Sequence, residues 1–437
     1  MRLCRDVPIL RYPTFFQATH LNMASTGISG LGFFLAAYLV STNLSVEGQA
    51  KYFMVMSLVA LQSAFEMGAS QLLMSNLAYR RSSSAALQDL PAELAAVLQV
   101  ALRYAKVCSA VYVPLFLAVY LLVLNISALT LAEGVVLALG SATSMFATFL
   151  FSFLEGLGAV QKAYALRFLM NVSRTVALTT GLVLGAGGYA ITASLWLSSL
   201  LSLLVVVFSG DWQRLWRLAD HLPPAQGGDL FSWRVHIFPA QWRLSVSWVS
   251  SYVIYQGPIW LSFAVLNTSA SARFGLSWSI FMGLSAVGAS ILAAHAAPLS
   301  TFLGSQKIVE AIHLWKRKST ALLAFAALTG LIFIAAVRFA PANWLPKDRV
   351  LDVPELWCIL FATLANQMIY CIVVLGRATG KELFHLNYFL WMVLMLLIFI
   401  VLSQLQPSAL LIVLSCALAN WAMLPLFFRS KKHAILL

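Results

Sequence analysis

A chain of 437 residues with 61% hydrophobic and 10% charged side chains has less than half the charge of a soluble domain, about 25%, and its apolar residues must face lipid. The excess of 28 Lys+Arg over 15 Asp+Glu gives a net charge of +13, read here as membrane topology rather than nucleic-acid binding, because basic residues collect in cytoplasmic loops. Five cysteines without paired spacing read as small buried hydrophobes, and neither a disulfide framework nor a metal site is expected.

Charge-free runs mark the spans, since about 20 apolar residues cross a bilayer. The segment 1–17 carries Arg2, Arg5 and Arg11 without a following A-x-A cleavage site, so the first run reads as a retained helix. In the N-terminal half the predicted helices are 18–41, 51–78, 104–124, 134–156, 164–185 and 189–209. The last two are separated by Gly185-Ala-Gly-Gly188. In the C-terminal half they are 244–266, 273–298, 319–340, 355–376, 384–403 and 409–428, with Ser403-Gln-Leu-Gln-Pro407 as the final turn. The expected fold is all-α, a polytopic transmembrane bundle of about twelve helices in two six-helix lobes.

Orientation follows from the cations. With a cytoplasmic N-terminus, 22 of the 28 Lys and Arg fall on cytoplasmic segments, and only Arg174 lies mid-helix. Both termini are therefore expected inside. The domain plan is a cytoplasmic segment 1–17, a lobe 18–209, a linker 210–243 with Pro223-Pro224 and Gly227-Gly228, a lobe 244–428 and a basic tail 429–437. An internal match supports the split: Ala50-Lys51-Tyr52 and Ala272-Arg273-Phe274 stand 222 residues apart, as do Ser57 and Ser279. Duplicated bundles are a common transporter plan.

Three segments carry a family resemblance: Ser25 to Leu35 (STGISGLGFFL), Leu44 to Tyr52 (LSVEGQAKY) and Ala64 to Gln71 (AFEMGASQ). They resemble the opening of polysaccharide-type flippases of the multidrug/oligosaccharidyl-lipid/polysaccharide exporter superfamily, which includes O-antigen and exopolysaccharide flippases. The segments Glu155 to Arg167 and Pro298 to Lys318 are also similar, whereas the Trp- and Arg-rich linker (Trp212, Trp216, Trp233, Trp242) departs from the pattern. The resemblance implies a bacterial inner-membrane flippase or exporter of a lipid-linked oligosaccharide of the polyprenyl-diphosphate type. Such a protein works by alternating access around a cavity lined by helices one, two, seven and eight, among membrane lipids and other glycan-assembly proteins.

Arg174 is the sharpest single residue, because a charge near mid-membrane must face the bundle interior or a wet cavity. It is either a contact for the diphosphate, which guanidinium suits, or an interior pair that fixes packing. Asn171 shares its face. Glu66, with Gln62 before it, is either a coupling site or partner of Arg174, or a cap on a helix break at Gly68. Lys51 and Arg273 meet substrate at the outer helix ends or snorkel to headgroups. Gln256 precedes Pro258, whose missing N–H kinks a helix and makes it, with Gly68, a candidate hinge.

No P-loop, dinucleotide fingerprint, zinc motif or Gly-x-Ser-x-Gly elbow stands in a credible context. No catalytic residue or cofactor is therefore expected. Two readings compete with the flippase: a drug or small-solute antiporter of the same superfamily, and a membrane enzyme or structural partner of envelope glycan assembly. The short outer loops and seven scattered histidines weigh against the enzyme.

Overall fold

The computed structural model describes residues 15–70, 72–74, 77, 90–123, 128–210, 213, 233–339, 341, 347–379, 382–405 and 407–436. They form fifteen helices: α1 (Phe15–Asn43), α2 (Val46–Val59), α3 (Leu61–Glu66), α4 (Leu90–Val123), α5 (Ala128–Gly156), α6 (Val160–Val183), α7 (Tyr189–Phe208), α8 (Trp233–His236), α9 (Phe238–Val265), α10 (Thr268–Ala293), α11 (Ala296–Gly304), α12 (Ile308–Phe339), α13 (Val353–Arg377), α14 (His385–Leu405) and α15 (Ala409–Leu436). Eight of them contain a stretch long and apolar enough to cross a membrane. The chain is a multi-pass all-α membrane protein. Helices α6 and α9 have the length, at 24 and 28 residues, yet are too polar to join those eight.

The second expected helix, 51–78, differs from the structure. It opens earlier, at Val46, because the Ser45 hydroxyl accepts the Gly48 N–H and Glu47 favours the positive helix start. It then breaks after Val59 and again after Glu66, where Met67 and Gly68 take positive φ angles of 54° and 66°. The third helix also starts earlier than expected, at Leu90, so Arg103 and Lys106 lie inside α4 as exposed helical residues. Most of the expected linker lies outside the described residues.

The 222-residue offset recurs in the backbone. Asn267, which stands 222 residues after Ser45, caps α10 by accepting the Ala270 N–H, just as Ser45 caps α2. The offset also maps α4 onto α12, α5 onto α13, α6 onto α14 and α7 onto α15 within a few residues. Helix order therefore repeats.

Contacts divide the chain into two compact units. The first comprises 1–29, 61–181 and 189–245, and the second 30–60, 182–188 and 246–437. In the first, α5 packs between α4 and α7. Ser141 and Ser144 on α5, and Ser198, Ser199 and Ser202 on α7, are essentially fully buried. Small side chains let membrane helices approach closely, where tail-on-tail hydrophobicity supplies no driving force. In the second unit α10 contacts α2, α12 and α13, while α13 runs along α15. Asn420 ties three helices there, accepting from Trp391 Nε1 at 3.2 Å and donating to the Ala362 carbonyl at 3.3 Å. Gly275 of α10 has no room for a side chain, since an added Cβ would stand 2.8 Å from Phe53 Cβ on α2.

Candidate functional site

Helix α6 is the element whose sequence most resists lipid. Arg174 lies about 21 Å along its axis of about 36 Å, at 1.5 Å per residue. Its Nη2 donates to Ser144 Oγ on α5 at 2.7 Å, while its Nε is buried without a partner. No carboxylate pairs with it among the described residues. One turn earlier Asn171 donates to Ser25 Oγ on α1 at 2.9 Å. The face thus offers one uncompensated guanidinium with a donor to spare, among hydroxyls. Such a site has the chemistry to take an anion.

Glu66 lies elsewhere in the same unit. Its carboxylate accepts both the backbone N–H and the hydroxyl of Ser70, the arrangement of a side chain capping the helix that restarts after Gly68. Glycine adopts positive φ freely; Met67 does so at a cost. Glu66 and Arg174 form no ion pair with each other. Gln62, one turn before Glu66, is partly exposed. The nearby basic group is Arg167, whose charge acts on Glu66. Arg167 itself pairs with Glu155 at 2.6 Å, and Tyr164 donates to the same carboxylate at 3.0 Å.

Sequence reading missed how the linker ends. Trp233 stacks on Tyr104 with centroids 4.1 Å apart and donates to Gln241 Oε1 at 2.7 Å, while Gln241 donates to the Tyr104 hydroxyl at 2.8 Å. Trp233 was legible only as one of a cluster of tryptophans.

The remaining candidates belong to the second unit. Lys51 is partly exposed on α2. Arg273 on α10 stands 4.0 Å from Asp352, and its Nε is buried without a partner. Helix α9 runs unbroken through Pro258. Gln256 is partly exposed beside Gly257, whose missing side chain makes room for the Phe399 ring. The structure therefore does not gather the candidates into one cluster. Arg174, Asn171, Glu66, Gln62 and Gly68 belong to the first unit, and Lys51, Arg273, Gln256 and Pro258 to the second.

Two features of the second unit were not anticipated. Gln49 is fully buried and donates to the carbonyls of Ala272 at 2.9 Å and Arg349 at 3.2 Å. Its signal was the Ser45 cap, which places Gln49, Tyr52 and Phe53 on one helical face. The second is the Arg377–Glu382 pair at 2.7 Å, held by Ser247 donating to Glu382 at 3.1 Å. Arg377 stands 222 residues after Glu155, so each half carries an ion pair at the corresponding turn, with the charges exchanged.

No family model matches the chain, and no curated protein matches it. Solved structures do. An inward-facing multidrug-resistance MATE transporter of the MOP superfamily aligns with a TM-score of 0.64 at 13% identity, over 95% of this chain and 98% of its own. A Vibrio cholerae MATE transporter, VcmN, aligns with a TM-score of 0.64 at 14% identity, over 96% and 95%. A MOP-superfamily transporter from Pyrococcus furiosus, described as having a binding pocket of reversed polarity, aligns at 0.59 and 13%, over 96% and 95%. The chain has the fold of these transporters along its whole length.

Proposed function

We propose that this protein is a transporter that flips or exports a lipid-linked oligosaccharide across the bacterial inner membrane by alternating access, with both termini cytoplasmic. Alternating access draws support from a fold neighbour, a MATE transporter solved in both inward-facing and outward-facing conformations. The observation that carries the anionic cargo is Arg174. A cation in the middle of a span without a carboxylate partner suits a polyprenyl-diphosphate headgroup and repels a cationic drug.

The test is deletion of the gene followed by analysis of lipid-linked intermediates. The expected result is accumulation of polyprenyl-diphosphate glycan on the cytoplasmic leaflet; unchanged surface glycan with no accumulation overturns the reading. A second reading, a drug or small-solute antiporter, is favoured by the multidrug-resistance neighbour and by Glu66 as an intramembrane carboxylate. That reading expects the deletion to raise drug susceptibility and leave the glycan intermediates unchanged.

A further inference from the structure

The second unit contains a cavity of about 400 Å³, a volume in the range of small-molecule pockets. Its walls come from α1, α10 and α12 and include Phe34, Tyr38, Ile280, Leu284, Ile332 and Phe333. Its two hydroxyl-bearing aliphatic residues turn inward to their own helices. Ser41 donates to the Tyr38 carbonyl at 2.7 Å, and Thr329 to the Phe325 carbonyl at 2.8 Å. The wall therefore presents hydrocarbon and ring faces, and polar cargo gains no bonds from these hydroxyls. Tyr38 and Ile332, at 48% and 58% exposure, form an open lip toward the surroundings, which in a membrane-spanning region are lipid.

One end of this groove is basic. Leu276 lines the groove and Arg273 is one turn earlier on the same face of α10. Val350 lines it next to Arg349, and Ala336 lines it two residues before Arg338 on α12. Two carboxylates sit among these three arginines, Asp352 at 4.0 Å from Arg273 and Asp348 at 3.7 Å from Arg349, and both are more than three-quarters exposed. The local balance is positive, and the Arg273 Nε has no protein partner.

We propose that this groove holds the hydrocarbon chain of a polyprenyl-phosphate lipid, with the phosphate drawn to Arg273, Arg338 and Arg349. An apolar trough ending in guanidinium groups is complementary to a long chain that ends in an anion. A single trough takes a single chain, which favours a polyprenyl lipid over a two-chain phospholipid. The inference rests on the lipid-linked cargo proposed above and adds a place for its tail, apart from Arg174.

The test uses the full chain in nanodiscs of phosphatidylethanolamine and phosphatidylglycerol, with a diazirine-bearing polyprenyl phosphate as photoprobe and peptide mapping as readout. The expected adducts lie on the peptides containing Tyr38 and Ile332. Ala336→Trp, at an exposed position on the groove's rim, removes most of this labelling while the protein stays monodisperse. Joint Arg273→Gln and Arg338→Gln lowers it about tenfold, the loss of one charge-assisted contact, and leaves labelling by uncharged diazirine polyprenol unchanged. Labelling spread evenly over lipid-facing helices overturns the proposal. So does groove labelling by diazirine phosphatidylglycerol that excess polyprenyl phosphate fails to displace. Because labelling requires no transport, its failure leaves the flippase reading to the deletion experiment, and a failed deletion experiment leaves the groove to be judged by labelling.

Discussion

At Arg174 the energetics are those of a stranded charge. Its guanidinium makes one bond of 2.7 Å to a serine and keeps a buried N–H unpaired, which a purely structural arginine would be selected to avoid. Arg174→Ala is expected to cut glycan export by about ten- to a hundredfold, the worth of a charge-assisted contact of about 1.5–3 kcal/mol, while membrane insertion is retained. Arg174→Lys should keep part of the activity, since it keeps the charge but not the fork. Export by the alanine variant equal to that of the parent would remove Arg174 from the substrate path. Glu155 and Arg167 form a different kind of residue pair, only 14% and 27% exposed. Glu155→Gln should destabilise the protein by about 1–3 kcal/mol, read as a lower midpoint of thermal unfolding. Adding Arg167→Gln should then cost less than it does alone, as coupled sites require.

Among elements, packing turns on where glycine stands. Gly275→Ala drives a methyl group to 2.8 Å from Phe53 Cβ, and overpacking of this kind costs about 1–3 kcal/mol. Gly27→Ala meets nothing within 4 Å and should be neutral or stabilising, because alanine is the better helix former by up to about 1 kcal/mol. Thermal unfolding of the two variants in one detergent separates these outcomes; equal midpoints would refute the packing account. The positions of the long helices were legible because a lipid-facing helix advertises itself by hydropathy alone. The breaks in the second span were not, because Met67 is no left-handed residue by type and only its neighbour Gly68 signalled the turn. Gln49 escaped notice for a related reason. Its polarity reads as loop until the Ser45 cap starts the helix at Val46 and turns the side chain inward.

For the whole molecule, the 222-residue repeat was visible as one tripeptide match, and the structure extends it to caps and helix order. The sequence could place cations on one side but could not show that Arg103 and Lys106 are helical, since a basic helix end and a basic loop have the same composition. Their sidedness remains the testable quantity. Reporter fusions after Asn43 and Leu266 are expected to report the outer side, and fusions after Ala159 and at the C-terminus the cytoplasm. An external signal from the C-terminal fusion would reverse the proposed topology.

The contact between Phe53 and Gly275 carries one more consequence. These residues are 222 apart, so they are the same position in the two copies of the repeat, and here the copies touch each other. A symmetric pair of identical halves would place two phenylalanines at this spot and collide, or two glycines and leave a void. Ring and hollow can coexist only when the copies have diverged. Fusion into one chain gives each copy the freedom to become the other's complement, so no single half could rebuild this contact as a homodimer.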